Sequence, residues 1–154
     1  RAIATDTNVA KITVLGVIDR PGIAASLFEP LAEADISVDV IVQNASVDGA
    51  TDLTFTVKGT ELAPALEVVE TVAQELESRG VVSADNLAKV SIVGTGMQDV
   101  PGYAARLFRV LADNGINIDM ITTSDIRITC IVKEAQVAEA ARAVHAAFQL
   151  EKPD

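Results

Sequence analysis

The 154-residue chain has very few of the residues that carry redox, metal or base-stacking chemistry. It contains one cysteine, one histidine and no tryptophan, and aromatic residues make up only 3% of the sequence. A single cysteine excludes an intrachain disulfide framework and favours a reducing compartment, and Cys130 is expected to be a buried apolar residue. His145 lies among alanines in a predicted helix and is expected to be structural. Neither a metal centre nor a nucleophilic enzyme is indicated.

Basic residues are also scarce. The 12 lysines and arginines face 22 aspartates and glutamates, which gives a formal charge of −10. Such a charge repels nucleic-acid backbones and anionic membranes. No apolar run approaches the roughly 20 residues of a membrane span, and no signal-peptide core opens the chain. These absences predict a soluble cytoplasmic protein, and the 49% hydrophobic content is enough to form a packed core.

The chain does contain an internal repeat. "AKITVLG" (10–16) matches "AKVSIVG" (88–94), and "DRPGIAASLF" (19–28) returns as "DVPGYAARLF" (99–108). "ISVDVIVQN" corresponds to "INIDMITTS", "TDLTFTV" (51–57) to "SDIRITC" (124–130), and the run 61–76 to 135–150. Two copies of one structural unit therefore fill most of the sequence.

Each copy follows the order strand, helix, strand, strand, helix. The β-branched runs predict buried strands, and apolar spacing predicts helices over 21–35 and 61–78. Pro21 suits a first helical turn, whereas Pro30 is expected to kink or shorten its helix. The Asp48-Gly49 pair is typical of a hairpin turn. This order is the ferredoxin-like pattern without its last strand.

The position of the missing strand follows from counting. "GVVSA" (80–84) provides a fourth strand for the first copy before a turn at "DN", but nothing follows the last helix of the second copy. "AIATDTN" (2–8) precedes the first copy as "VVSADN" precedes the second. We therefore predict an α+β fold of two ferredoxin-like βαββαβ domains with antiparallel sheets, 8–84 and 1–7 plus 85–154. The N-terminal strand, about Ala2 to Thr5, completes the second sheet; the alternative is an edge strand lacking from this sequence.

The repeated Pro-Gly turns are the best candidate site. A helix N-terminus presents free backbone N–H groups and the positive end of the helix dipole. Gly22 and Gly102 let a ligand approach the backbone, and Ala24 and Ala104 keep the floor of such a site small. The arrangement suits the carboxylate of a small amino acid, whereas a single Pro-Gly pair would simply start a helix. "GTG" (94–96) lacks the remaining features of a phosphate-binding loop.

These motifs resemble ACT domains, which are amino-acid-binding regulatory units, and more narrowly the regulatory region of aspartate kinases. The stretches that carry the resemblance are "AKITVLGVIDRPGIAA", "VDVIVQNAS", "TDLTFTV", "AKVSIVGTGM", "PGYAARLF", "NIDMITTSDIRI" and "AARAVHAAFQL". They cover nearly the whole chain. The resemblance implies feedback inhibition by threonine, lysine or both, bound between ACT units of two paired chains, and it implies a homodimer that works with a catalytic α subunit or kinase domain.

The resemblance also implies two sets of effector-binding residues, each completed by the other unit, expected to come from the partner chain. The first set comprises Asp19, Pro21, Gly22, Ile23, Ala24, Gln43, Asn117 and Ile118. The second comprises Gln98, Asp99, Pro101, Gly102, Tyr103, Ala104, Ser37 and Val38. Ser46, Thr54, Thr123 and Ser124 lie near these sites.

Three functional hypotheses remain at this stage. The first is an effector-binding regulatory module of aspartate kinase, inactive alone because no kinase domain is present. The second is a ligand-free ACT-type module that holds a biosynthetic enzyme together. The third is a small ferredoxin-like enzyme with buried carboxylates, for which the sequence shows no cluster of titratable groups. No metal or cofactor is expected beyond the amino-acid effectors.

Overall fold

The computed structural model describes residues 2–43, 48–94 and 101–148. Its elements follow in the order β1 (Ala2–Ile18), α1 (Ile23–Glu33), β2 (Ile41–Gln43), β3 (Ala50–Lys58), α2 (Leu62–Glu75), β4 (Gly80–Val93), α3 (Tyr103–Asp113), β5 (Met120–Thr123), β6 (Arg127–Lys133) and α4 (Val137–Phe148). A short 3₁₀ turn precedes both α2 and α4. None of the helices in these residues has the length and apolarity that crossing a bilayer requires.

The strand order is β2-β3-β1-β4-β6-β5. β3 pairs antiparallel with β1 and β2, and β6 pairs antiparallel with β4 and β5. The chain divides into two compact units, Val9–Asp85 and Arg1–Asn8 joined with Asn86–Asp154. We call these the first and second unit. The predicted α+β class with antiparallel strands and two repeats is confirmed.

Two long strands serve both units. β1 and β4 each pass from one unit to the other at an asparagine in the left-handed region, Asn8 at φ 65° and Asn86 at φ 56°. Asparagine tolerates this conformation better than most residues. The turn expected at Asp85-Asn86 is therefore wrong, since the strand continues through it. The N-terminal strand does complete the second unit, because Ile3 packs against that unit's core.

Successive side chains of a strand point to opposite faces of the sheet, and in each unit the helices cover one of these faces. Ala10, Ile12 and Val14 are fully buried in the core of the first unit. On the other face, the Thr13 hydroxyl lies 2.9 Å from that of Thr54. The second unit repeats this contact: Ser91 Oγ lies 2.7 Å from Thr129 Oγ1. The two hydroxyl pairs therefore mark equivalent positions in the two units.

The equivalent positions correct the sequence alignment of the two copies. Because Thr54 corresponds to Thr129, "TDLTFTV" matches residues 126–132, two residues later than the sequence comparison placed it. The second helices are shifted by one residue in the same sense: the buried Ala65 and Val69 of α2 correspond to Ala140 and Val144 of α4. Side-chain burial, rather than residue identity, fixes both alignments.

Pro30 does not shorten α1. α1 and α3 are both 11 residues long, although α3 contains no proline. Pro30 lies in the last part of α1, and its carbonyl still accepts a hydrogen bond from the Ala34 N–H at 3.1 Å. The prediction that proline would shorten this helix is wrong. Pro30 lies within one turn of the end of α1, and α3, which has no proline, ends at the equivalent residue.

Candidate functional site

A β-bulge fixes the loop that leads from β1 to α1. The β1–β3 register shifts between Val14 and Val17, and Gly16 within the bulge has φ 60°. The Gly16 N–H donates to a carboxylate oxygen of Asp52 at 2.8 Å. Further along, the Asp19 N–H donates to the Gly49 carbonyl at 2.9 Å. These two bonds hold the loop against β3 and the adjoining hairpin. Sequence comparison assigned no role to Asp52.

The first helix begins without a side-chain cap. Gly22 precedes α1 at φ 91° and ψ −7°, and no side chain bonds to the first turn, which contains no acidic residue. The Gly22 carbonyl accepts from both the Ser26 N–H and the Ser26 hydroxyl at 3.0 Å. The first-turn N–H groups of a helix have no intrahelical acceptors and lie at the positive end of its dipole. The Ile23 N–H donates to the Arg20 carbonyl at 3.2 Å, so an anion at this position would meet the positive end of the dipole and the remaining first-turn N–H groups.

The second unit repeats this geometry. Gly102 precedes α3 at φ 98° and ψ −9°, again with no side-chain cap and no acidic residue in the first turn. Its carbonyl accepts from the Arg106 N–H at 2.9 Å. Pro101 and Gly102 are exposed, as are Pro21 and Gly22. We call these two helix starts, residues 19–24 and 101–104, the first and second cradle.

Two of the predicted site residues direct their side chains into the protein. Ile23 is 3% exposed and belongs to the core of the first unit. Tyr103 stacks on Phe148, with ring centroids 6.1 Å apart and planes 9° from parallel. Their side chains pack inside the protein, so each residue presents mainly its backbone to the cradle. The small Ala24 and Ala104 are half-buried beside them.

The remaining predicted residues lie in the segments before and after the edge strands. Exposed Ser37 and half-buried Val38 precede β2, as Asn117 and Ile118 precede β5. Asn117 Nδ2 donates to Asp119 at 3.3 Å. Gln43 ends β2 and is exposed.

The positions named as lying near the sites are divided between the two edges. Thr54 is on β3, Thr123 ends β5, and the Ser124 N–H donates to the Arg127 carbonyl at 2.8 Å. Ser46, Gln98 and Asp99 lie outside the described residues. The effector assignments as a whole stay predictions.

The described residues contain neither of two kinds of reactive group, a metal-binding cluster and a reactive thiol. No group of three or more His, Cys, Asp or Glu side chains in them could hold a metal ion. Cys130 is buried, and this burial raises the pKa of its thiol to about 12. A thiol held in that state is a poor nucleophile at neutral pH.

Comparison with known proteins agrees with the duplicated unit. A sequence model of the ACT domain matches residues 12–72 and 90–148. The regulatory subunit of aspartate kinase from Thermus thermophilus, in its ligand-free form, superposes with a TM-score of 0.88 and 40% identity over 96% of this chain and 97% of that one. The chain belongs to the ACT-domain regulatory regions of aspartate kinases.

Two further relatives define how much of the enzyme this region represents. A structure of aspartokinase alpha and beta subunits contains a chain with a TM-score of 0.88 and 40% identity over 97% of this chain and 98% of that one. The aspartate kinase Ask_LysC of Stutzerimonas stutzeri is 43% identical over 98% of this chain, but the match spans 37% of that enzyme. This regulatory region thus corresponds to just over a third of the length of that relative.

Proposed function

We propose that this chain senses threonine, lysine or both and transmits their binding to an aspartate kinase catalytic subunit or domain as feedback inhibition. The single observation that carries this proposal is the pair of uncapped, glycine-initiated helix N-termini at equivalent positions of the two units. A carboxylate placed there would lie at the positive end of each helix dipole, beside a first turn that no side chain caps. A catalytic partner is supported by the neighbouring structure of aspartokinase alpha and beta subunits.

Each cradle is proposed to be completed by the other unit of a partner chain. Asn117 and Ile118 would face the first cradle, and Ser37 and Val38 the second. An amino acid bound with micromolar to millimolar affinity supplies about 4 to 8 kcal/mol. Only the difference in affinity between two assembly states can regulate, typically about 1–3 kcal/mol. A ligand that bridges two chains has such a difference, because separated chains offer it an incomplete site.

The dimer is proposed to form through the edge strands β2 and β5. Ile41 on β2 is 52% exposed and Ile121 on β5 is 45% exposed. They occupy equivalent positions, because their cross-strand partners are the core residues Phe55 and Cys130. Each isoleucine thus lies at a sheet edge on the face that bears the helices. Pairing of edges would bury both side chains and satisfy the free backbone groups of the edge.

The effector proposal is tested by titrating threonine, lysine and alanine into the purified chain and following thermal unfolding and binding heat. Stabilisation by threonine or lysine, but not alanine, is expected. Gly22→Asp places a carboxylate at the first cradle and should abolish binding there, as Gly102→Asp should at the second. Gly115→Asp is the matched control, because Gly115 also has a positive φ, 69°, but follows α3 instead of preceding it. Equal effects of all three variants would contradict the assignment.

A scaffold that binds no effector is the second candidate, and the exposed isoleucines favour it as much as they favour the sensor. Ile41→Lys and Ile121→Lys should each shift the sedimentation equilibrium towards monomer. Val82→Lys is the control, since Val82 is equally exposed at 52% but lies on β4. A dimer that is intact in wild type and indifferent to threonine and lysine would establish the scaffold instead of the sensor.

A further inference from the structure

The second unit contains a groove whose lining includes none of the cradle residues. It has a volume of about 530 Å³ and is lined by Ile3, Thr5, Ala141, Arg142, His145 and Ala146. These residues come from the first part of β1 and from α4, so the groove is built within one unit. We call it the α4 groove. Its volume lies within the usual range for small-molecule sites.

Comparison of the repeats explains why the groove is open. When α2 and α4 are aligned on their buried residues, Ala141 takes the place of Leu66. Leu66 is partly buried and packs against the core of the first unit. Alanine at this position removes most of that side chain and leaves the space unfilled. In the first unit, a cavity of about 270 Å³ lies nearer the end of α2, and its lining includes Glu70, Ser78 and Arg79.

The charge of this surface is also reversed between the repeats. Arg142 and His145 occupy the positions of Glu67 and Glu70 in the first unit. Arginine is always protonated and binds carboxylates with two parallel hydrogen bonds. Among the described residues, Arg142 forms no ion pair with a carboxylate. The groove is therefore basic, although the chain as a whole has a formal charge of −10.

We propose that the α4 groove binds a small organic acid with a branched aliphatic body. Arg142 receives the carboxylate, the Thr5 hydroxyl hydrogen-bonds the adjacent oxygen, and Ile3 and Ala141 contact the aliphatic part. None of the six lining residues carries a carboxylate. The ammonium group of an amino acid would therefore gain no counter-charge in the groove and would be repelled by Arg142. The ligand class is a 2-oxo acid rather than an amino acid, which separates this site from the cradles.

The test compares 4-methyl-2-oxopentanoate with leucine, which has the same aliphatic body but carries an ammonium group. Each is titrated to about 10 mM into isotopically labelled chain, a concentration that nearly saturates a site with a Kd of about 1 mM, and backbone amide shifts are followed by NMR. The oxo acid should shift the amides of Thr5, Arg142 and Ala146 and bind at least tenfold more tightly than leucine. Threonine and lysine should leave these amides unmoved.

Two variants identify the groups responsible. Ala141→Leu restores the side chain found in the first unit and should fill the groove, and Arg142→Glu should reduce binding at least tenfold. Arg109→Glu is the control, because Arg109 is an exposed arginine on α3 outside the groove. No shift at this concentration, shifts confined to the cradles, or binding unchanged in Arg142→Glu would overturn the proposal. So would a self-association that Arg142→Glu abolishes and the oxo acid does not affect, which would identify a protein interface.

Discussion

The rings of Tyr103 and Phe148 stack with centroids 6.1 Å apart, which joins the first turn of α3 to the last turn of α4. The Arg106 guanidinium lies 4.5 Å from the centroid of the Phe148 ring and donates to the Ala147 carbonyl. Phe148 is 5% exposed. The start of the second cradle therefore depends on a residue at the far end of the unit's sequence.

Phe148→Ala should destabilise the second unit by about 3 kcal/mol, because it removes a buried aromatic ring and leaves a cavity. Arg106→Ala removes the cation–π contact and the hydrogen bond to Ala147 of an exposed side chain and should cost about 1 kcal/mol. Urea unfolding of both variants gives the comparison. Equal costs would show that the guanidinium, and not the burial of the ring, holds the helices together.

Gly16→Ala should be more damaging than Gly22→Ala. A Cβ at Gly16 would lie 2.6 Å from Cδ and 2.7 Å from Cγ of Arg79, whereas a Cβ at Gly22 meets nothing within 4 Å. Both positions have a positive φ, which costs about 1 kcal/mol for alanine. The additional cost at Gly16 comes from the contact with Arg79.

A double-mutant cycle with Arg79→Ala isolates that contact. Arg79→Ala should recover roughly 0.5–1 kcal/mol of the cost of Gly16→Ala and none of the cost of Gly22→Ala. Additive free energies of unfolding at both glycines would show that backbone conformation alone is responsible.

Glu61→Gln should stabilise the first unit by about 1 kcal/mol. Glu61 Oε2 is buried without a hydrogen-bond partner, whereas its counterpart Gln136 donates from Nε2 to the Gly115 carbonyl at 3.4 Å. A glutamine at 61 gains an N–H donor for the equivalent carbonyl, that of Asp35, and no longer buries an unsatisfied carboxylate. Thermal unfolding measures the gain, and Gln136→Glu should produce a loss of similar size. A gain in both variants would exclude this explanation.

Cys130 should make the protein less stable in alkaline solution. Burial raises the pKa of its thiol from 9.0 to about 12. Between these values the unfolded chain releases the proton and the folded chain keeps it, so stability falls as pH rises above 9, by up to about 1.4 kcal/mol per pH unit. Unfolding free energies measured from pH 8 to 10.5 should show this slope in wild type and a weaker one in Cys130→Ala. The same slope in both would assign it to other groups.

The sequence was sufficient to predict much of the fold because its signals are local or repeated. The β-branched runs, the Pro-Gly helix starts and the position of the N-terminal strand all followed from residue type and counting. The continuity of β4 did not, because Asp85-Asn86 has the composition of a turn and only the neighbouring strands keep it extended. The bulge at Gly16 also escaped, since it depends on a carboxylate 36 positions away.

The α4 groove could not be predicted for a more specific reason. Residue identities aligned the last helices one position out of step, which hides the exchange of Leu66 for Ala141. The burial of Ala65 and Ala140 supplies the correct alignment. Only in that alignment do two acidic residues of α2 correspond to Arg142 and His145 of α4. Where two copies have diverged in sequence, the pattern of buried residues aligns them better than residue identity does.

The passage of β1 and β4 through both units means that the second unit is encoded by two separate segments of the gene. Cutting the gene at Asn8 and Asn86 would give the first unit a contiguous reading frame but leave the second as two separate fragments. Recombination between related genes could therefore exchange the pair as one block far more easily than either half. Because β1 and β4 each belong to both units, we expect the two units to be inherited together.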